Sequence, residues 1–306
     1  MATRIPRENQ VTGHTDIPAR PDLVRLGLGI IGIGTSGPLI ATSLMPVPTL
    51  IFWRNLGGAF LTLPFAIRHR QWSDRTGMKW SAIAGVLLAF HFVGMFFAMR
   101  LTSIAAGTAL TALQPIFAAI FVKFSGGHIP RTAWFGMFVS FSGVLLVSGV
   151  DLNISLRSFI GDLAGLCAGA LAALYVMAGA RAQEHIETTS YTTVCYFVCA
   201  LTALPLSLIY PDSIFSYPAR EWWIVIGLVM GAQILGHTMF NSVLKRVSPA
   251  IVSLVIFFEV PVGAILALWW IGQRPPLGVI PGIILILLGC GLVVLRTRPN
   301  EAVAAK

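Results

Sequence analysis

Two charged residues lie where charge is hardest to keep. Arg54 and Glu259 sit deep inside long apolar runs of the 306-residue chain, and they are the only two clearly mid-run charges, of opposite sign. An ionisable group at the centre of a bilayer costs roughly 2.5–3.5 kcal/mol on insertion scales, so each needs a reason to be there. Arg54 stands between Trp53 and Asn55, about eight residues after Pro46 or about 12 Å along a helix, too deep to snorkel freely. It can hold a substrate carboxylate or another anion. It can equally lock helices together through backbone carbonyls and a neighbouring acid. Glu259 follows Pro249 by about ten residues. It can carry a coupling proton or meet a substrate amine, or it can be a fixed ion-pair partner of Arg54 or a hydrogen-bonded neutral acid. An Arg54–Glu259 pair that closes in one state and opens in another is one way for two such charges to work.

A second set of polar residues shares the apolar runs. His91 and His237 are 146 residues apart and occupy equivalent places in two of the runs. A membrane histidine is usually an interhelical hydrogen bonder, and the matched placement also suits two groups facing one central site. Gln114, Gln233, Asn241 and Trp53 are further candidates to touch a substrate. Asp162 falls near the start of a run, where a helix dipole favours an acid, and so reads as a cap. Lys123 reads as an interface anchor. Pro38, Pro115 and Pro261 stand inside runs and are candidate kinks or hinges. Cys167, Cys195, Cys199 and Cys290 lack metal-site spacing and read as small packing residues, so no metal and no cofactor is expected.

The elements that must position these residues are membrane spans. The chain is 56% hydrophobic and 11% charged, against about 25% charged in soluble domains. Its formal charge of +9 is spread over short gaps between apolar runs, which does not suit nucleic acid. Crossing the hydrocarbon core takes about 20 residues. Ten segments qualify: Leu23–Ser43, Pro46–Ile67, Met78–Met99, Ser103–Phe124, Pro130–Ser148, Phe159–Ala180, Thr189–Tyr210, Trp222–Val243, Pro249–Ile271 and Pro275–Leu295. The expected fold is an all-α membrane protein. The alternating ten-residue pattern of a barrel is missing, and no cleavable signal peptide is expected in the polar first 22 residues. Lysine and arginine mark cytoplasmic loops. With the N-terminus inside, sixteen of the 21 fall on inside segments, four outside, and Arg54 within a span. Both termini are therefore expected in the cytoplasm.

The two halves repeat. At a shift of 146 residues, Gly85 meets Gly231, His91 meets His237, Arg100 meets Arg246 and Pro115 meets Pro261. Gly126 likewise meets Gly272, Pro130 meets Pro276, Gly136 meets Gly282 and Gly143 meets Gly289. The register holds for spans 3–5 against 8–10 and fails for the first two spans of each half. The expected organisation is a cytoplasmic tail at 1–22, a five-span unit at 23–150, a second at 159–296 and a tail at 297–306. Five is odd, so the second unit enters the membrane inverted. Two such units can pack in two near-equivalent ways, which is the basis of alternating access. Within the units, Gly161, Gly165 and Gly169 form a small-residue face, and the glycine-dense first span suggests close packing or a bendable gate.

The stretches "AMRLTSIAAGTALTALQPIFAAIF" and "VLKRVSPAIVSLVIFFEVPVGAIL" resemble the paired signature of EamA-type transporters of the drug/metabolite transporter superfamily, and "FWRNLGGAFLTLP" in span 2 extends the likeness over nearly the whole chain. The chain departs from the family pattern at Glu259-Val260-Pro261, where Glu-Pro is common, and at Gly126-Gly127 and Gly272-Gln273, where Gly-Glu is common. The resemblance implies ten helices in two EamA units that move small metabolites, commonly outward, across a bacterial inner membrane.

The leading expectation is a secondary transporter, of exporter direction, for a small organic metabolite, amino acid or drug-like compound, with proton coupling as one role for Glu259. No phosphate-cradling GxxxxGK[ST] loop is present to take ATP. The alternatives are an uncoupled channel, facilitator or scramblase and, less favoured, a membrane-embedded enzyme, for which no catalytic cluster is visible. The expected partners are a small-molecule substrate, the lipid bilayer and protons, not nucleic acid.

Overall fold

The computed structural model describes residues 20–69, 72–124, 126, 131–210, 214–243 and 255–296. Among these there are ten helices and no strand. α1 runs Arg20–Thr42 with an interruption at Thr35. α2 is Val47–His69 and α3 is Arg75–Leu101. α4 is broken into Ile104–Thr111 and Gln114–Phe124. α5 is Arg131–Ile154, α6 is Leu156–Gln183 and α7 is Thr188–Ser207. α8 combines Ala219–Gly227, a π-helical stretch Leu228–Thr238 and Met239–Val243. α9 is Glu259–Ile271, and α10 is Ile280–Arg296 after a short 3₁₀ turn. α1, α2, α3, α4, α6 and α7 contain stretches long and apolar enough to cross a membrane, while the described apolar runs in α5, α9 and α10 are shorter. The surface matches that reading: Trp134, Phe135, Phe138, Phe141, Trp223, Ile265 and Trp269 are all exposed. A water-soluble monomer does not expose so many large apolar side chains.

The breaks follow from proline. Its ring clashes with the carbonyl four residues back, and it has no N–H to give. α1 breaks at Thr35, just before Pro38; α4 breaks at Ala112-Leu113, just before Pro115; the chain turns at Phe257-Phe258, just before Pro261. Each proline then falls in the first turn of the next segment, where an N–H has no intrahelical partner anyway. The starts of three regular helices are capped by side chains: Asp74 accepts from Gly77 N, Ser103 from Ala106 N and Ser155 from Ser158 N. Gly126 and Gly272 have φ of 86° and 66°, the left-handed conformation that ends a helix and that glycine adopts most cheaply.

Three details differ from the sequence expectation. α5 continues to Ile154 and α6 starts at Leu156, so the expected ten-residue connection shrinks to Ser155. Asp162 does not cap α6; Ser155 does, and Asp162 is fully buried in the second turn. Glu259 is not in mid-helix. The turn at Phe257-Phe258 makes it the first residue of α9, where the helix dipole favours a carboxylate. The expected span starts at Pro130 and Pro249 lie outside the described residues, as do the tails at 1–19 and 297–306.

α3 lies along α6, α2 along α7, α5 along α10, and α1 along the π-helical stretch of α8; α9 touches α1 and α4. Small residues permit these approaches. Gly161, Gly165 and Gly169 of α6 leave room for the α3–α4 corner at Leu101-Thr102 and for Leu110 and Thr111. Gly143 and Gly282 face each other's backbone across α5 and α10, and Gly289 faces Gly136 O. One apolar core surrounds Leu50, Phe92, Phe96, Tyr196 and Leu228; a second lies around Leu110, Val147, Ile286 and Cys290.

Candidate functional site

Arg54 projects from α2 into the first of these cores and is only 1% exposed. Its guanidinium carbon lies 4.3 Å from the centre of the Phe92 ring and 5.7 Å from that of Phe96. These rings are one helical turn apart on α3, so both turn the same way. A desolvated guanidinium over an aromatic face gains about 2 kcal/mol. That does not replace the hydrogen bonds it loses on leaving water. Nε donates to Gln233 Oε1 at 3.2 Å. Nη1 is buried and has no hydrogen-bond partner among the described residues. An unmet charged donor in an apolar core is costly, and a ligand oxygen would satisfy it.

Gln233 reaches Arg54 because of two local features. It sits in the π-helical stretch of α8, and such stretches turn side chains out of the ordinary α register, frequently at functional sites. Its amide packs over Gly58 of α2, at the place where a Cβ would otherwise stand. His91, on α3, is buried and its Nδ1 lies 2.9 Å from Ala168 O of α6. A carbonyl only accepts, so Nδ1 carries the proton in that bond. His91 therefore ties α3 to α6 while remaining within electrostatic range of Arg54. His237, half-buried on the π-helical stretch, is within range of both Arg54 and His91. Glu259, half-buried at the start of α9, is within electrostatic range of Arg54 but forms no ion pair with it.

The structure thus gathers Arg54, Gln233, His91, His237 and Glu259 from four helices around one buried cation. Gln114 is half-buried at the start of the second segment of α4. Trp53 turns the other way: its Nε1 donates to Ile214 O at 2.7 Å, and its ring meets Phe215 and Trp222. It holds the α7–α8 connection at one mouth of the bundle. Asn241 lies in α8, and its side chain is outside the description. Pro38, Pro115 and Pro261 stand at the three helix breaks.

Two residues that hydropathy and motif spacing passed over carry prominent contacts. Glu221, at the start of α8, is fully buried and accepts from Ser43 Oγ, Leu44 N and Met45 N. Gln273 accepts from Ile104 N with its Oε1. Glu221 follows Arg220 near a span end, where an acid looks like an ordinary interfacial charge; only its 178-residue reach to Ser43 shows otherwise.

The EamA-like transporter family matches residues 26–149 and 159–295. The pseudopaline exporter CntI of Pseudomonas aeruginosa (strain UCBPP-PA14) is 23% identical over 262 residues, 84% of this chain and 89% of the exporter. The uncharacterized transporter YyaM of Bacillus subtilis (strain 168) is 26% identical over 215 residues, 68% of this chain and 70% of that protein. A crystal structure of a protein at 18% identity superposes with a TM-score of 0.61 over 91% of this chain and 99% of its own, which shows a shared fold.

Proposed function

The chain belongs to the EamA-like transporter family, and on that premise we propose that this multi-pass membrane transporter is a secondary exporter of a small organic metabolite, amino acid or drug-like compound bearing a carboxylate. The observation that carries the cargo chemistry is Arg54: a buried guanidinium, braced by Gln233, whose Nη1 has no protein acceptor among the described residues. A carboxylate would meet that donor in a charge-assisted bond. His91, His237, Gln114, Glu259 and the α8 residues Gln233 and Asn241 are the proposed surroundings of the cargo, and Trp53 guards one mouth. Glu259 is the proposed carrier of a coupling proton. The exporter direction draws on the name of the CntI relative.

The proposed mechanism is alternating access by two inverted five-helix units in a bacterial inner membrane, with both termini cytoplasmic. The packing supports it. In an inverted pair, α2 and α5 would each pack against their own counterparts, α7 and α10, and the α3–α6 contact would have its image in α8–α1. Those are the contacts present. Ser140 Oγ donates to Ile286 O at 3.0 Å, and these two residues differ by the 146-residue repeat shift, as expected for positions beside a pseudo-two-fold axis. The breaks before Pro38, Pro115 and Pro261 supply the proposed hinges.

The test is a thermal-stabilisation screen of the purified full-length protein with small carboxylates and their amide counterparts, since a ligand that binds the folded state raises its stability. Stabilising carboxylates then enter counterflow assays in proteoliposomes. Saturable counterflow that Arg54→Gln abolishes is the expected result. Flux without saturation or counterflow would instead mark an uncoupled facilitator.

A further inference from the structure

Two acids stand at equivalent places in the two halves, at opposite ends of the bundle. Asp74 caps α3 and faces the turn between α6 and α7. Glu221 lies in the first turn of α8 and faces the turn between α1 and α2. In the repeat, α3 corresponds to α8 and the α6–α7 turn to the α1–α2 turn, with the acids one position out of register. They lie at opposite mouths because Ser43–Met45 leads into α2 and Asp74 follows it. α2 has 23 residues, about 34 Å of helix, which is enough to cross the hydrocarbon core.

The two acids are in opposite conditions. Glu221 is fully buried. Its Oε2 accepts from Ser43 Oγ at 2.6 Å, Leu44 N at 2.9 Å and Met45 N at 3.4 Å, and Arg220 Nη1 lies 3.4 Å from Oε1. The last carbonyls of α1, which have no helical donor, are also taken: Arg100 Nε donates to Ile40 O and Arg220 Nη2 to Thr42 O. Gln273 to Ile104 and Trp53 to Ile214 fasten the same end of the bundle. At the other mouth Asp74 is partly exposed, and its carboxylate stands 3.7 Å from His185 Nδ1, itself 41% exposed by side chain. Beyond the cap bond within its own helix, no other donor reaches it among the described residues.

We infer that Glu221 and Asp74 are a pair of latches, one per mouth, and that this conformation has the Glu221 latch shut and the Asp74 latch slack. The inference rests on the alternating-access reading. On the lysine–arginine topology the Glu221 mouth faces outward, so this conformation is the one fastened on the outer side. Opening outward frees the Ser43–Met45 turn from Glu221 and tightens the 3.7 Å Asp74–His185 contact into a hydrogen bond, on a turn that already packs against Gly77 of α3 through Ile186. Glu221 is a positioning group: it sets the populations of the two states and touches no cargo.

Spin-label distances on the full-length protein in lipid nanodiscs test this, with exposed Cys167 replaced by alanine. Leu44→Cys with Trp223→Cys reads the Glu221 mouth, and Trp72→Cys with Glu184→Cys reads the Asp74 mouth. Glu221→Gln is expected to raise the open fraction at the first pair by roughly tenfold, the effect of losing about one charge-assisted hydrogen bond, while the second pair moves closer. Ser43→Ala, which removes one donor and keeps the carboxylate, gives a smaller shift in the same direction and serves where Glu221→Gln does not fold. An unchanged first pair overturns the inference. So does a widening of both pairs together, which marks a merely structural cap. The cargo reading fails separately: counterflow at wild-type rates with unmoved distances overturns the latch and leaves the exporter standing, whereas reciprocal distances without flux of any screened carboxylate support the latch and count against the cargo.

Discussion

α4 and α9 behave alike, and α3 and α8 do not. Pro115 and Pro261 are 146 residues apart, and each opens a helical segment just after a turn; Gly126 and Gly272, at the same separation, both adopt the left-handed conformation. α3 and α8 share the offset through Gly85 and Gly231 and through His91 and His237, yet α3 is a regular helix over Arg75–Leu101 whereas α8 turns π-helical over Leu228–Thr238. The environments explain it. Gly85 of α3 is pressed against Cys195 O and Val198 of α7, in a close regular packing. Gly231 and Gly236 of α8 meet Gly32, Ile33 and Thr35 of the glycine-dense α1. The π-helical turn falls where small residues of both helices meet, α1 being glycine-dense there. Positions at the 146-residue offset therefore share their proline-set breaks and differ where the partner helix differs. The divergence falls on the residue that braces Arg54.

The comparison can be broken at several points. The largest effect is expected at Arg54 itself. Arg54→Gln should weaken carboxylate binding by about a hundredfold or more, the scale of truncating a buried, hydrogen-bonded charge, measured by titration of the purified protein. If amide analogues bind the wild type as tightly as carboxylates, the buried cation is a structural lock. Next come the matched glycines. A Cβ on Gly85 lands 2.6 Å from Cys195 O and 2.8 Å from Val198 Cβ, whereas one on Gly231 meets chiefly Thr35 Oγ1, which can rotate. Gly85→Ala should cost about 1–3 kcal/mol through overpacking, and Gly231→Ala less than about 1 kcal/mol. Equal losses of thermal stability would remove the packing explanation for the difference between α3 and α8.

Smaller shifts sharpen it further. Gln233→Leu leaves the volume nearly unchanged and removes the acceptor for Arg54 Nε, so it should cost the empty protein about 1–3 kcal/mol through the unmet donor and lower carboxylate affinity about tenfold. A melting loss with unchanged carboxylate affinity would make Gln233 a structural brace alone. Glu259→Gln should flatten the dependence of transport rate on pH while leaving carboxylate binding within about threefold, since no ion pair joins Glu259 to Arg54. An unaltered pH profile would take Glu259 out of the coupling.

Much of the fold could be read from local features. Apolar runs about as long as the bilayer is thick marked the helices, and Pro38, Pro115 and Pro261 marked the breaks, because a missing N–H acts on its own helix whatever surrounds it. Arg54 stood out because a charge in such a run is conspicuous without any knowledge of its neighbours. Part of the site was less legible. Trp53, adjacent to Arg54 in sequence, points to a different place, since successive side chains on a helix diverge by about 100°. Glu259 read as mid-helix because the turn at Phe257-Phe258 consists of residues that are ordinary helix formers in lipid. Asp162 read as a cap because the start of α6 was placed three residues too late.

The sequence by itself determined that this chain crosses a membrane through many helices, where those helices break, and that a buried arginine needs an acceptor. Solvation free energy and backbone covalency impose these residue by residue, within one or two helical turns. Only the tertiary structure decided which groups meet Arg54, that α8 widens into a π-helix to bring Gln233 there, and that Glu221 accepts from a turn 176–178 residues away while Asp74 stands 3.7 Å from His185. Such contacts depend on how one helix face settles against another. That is set by the sum of many weak packing terms, for which no single residue carries the signal.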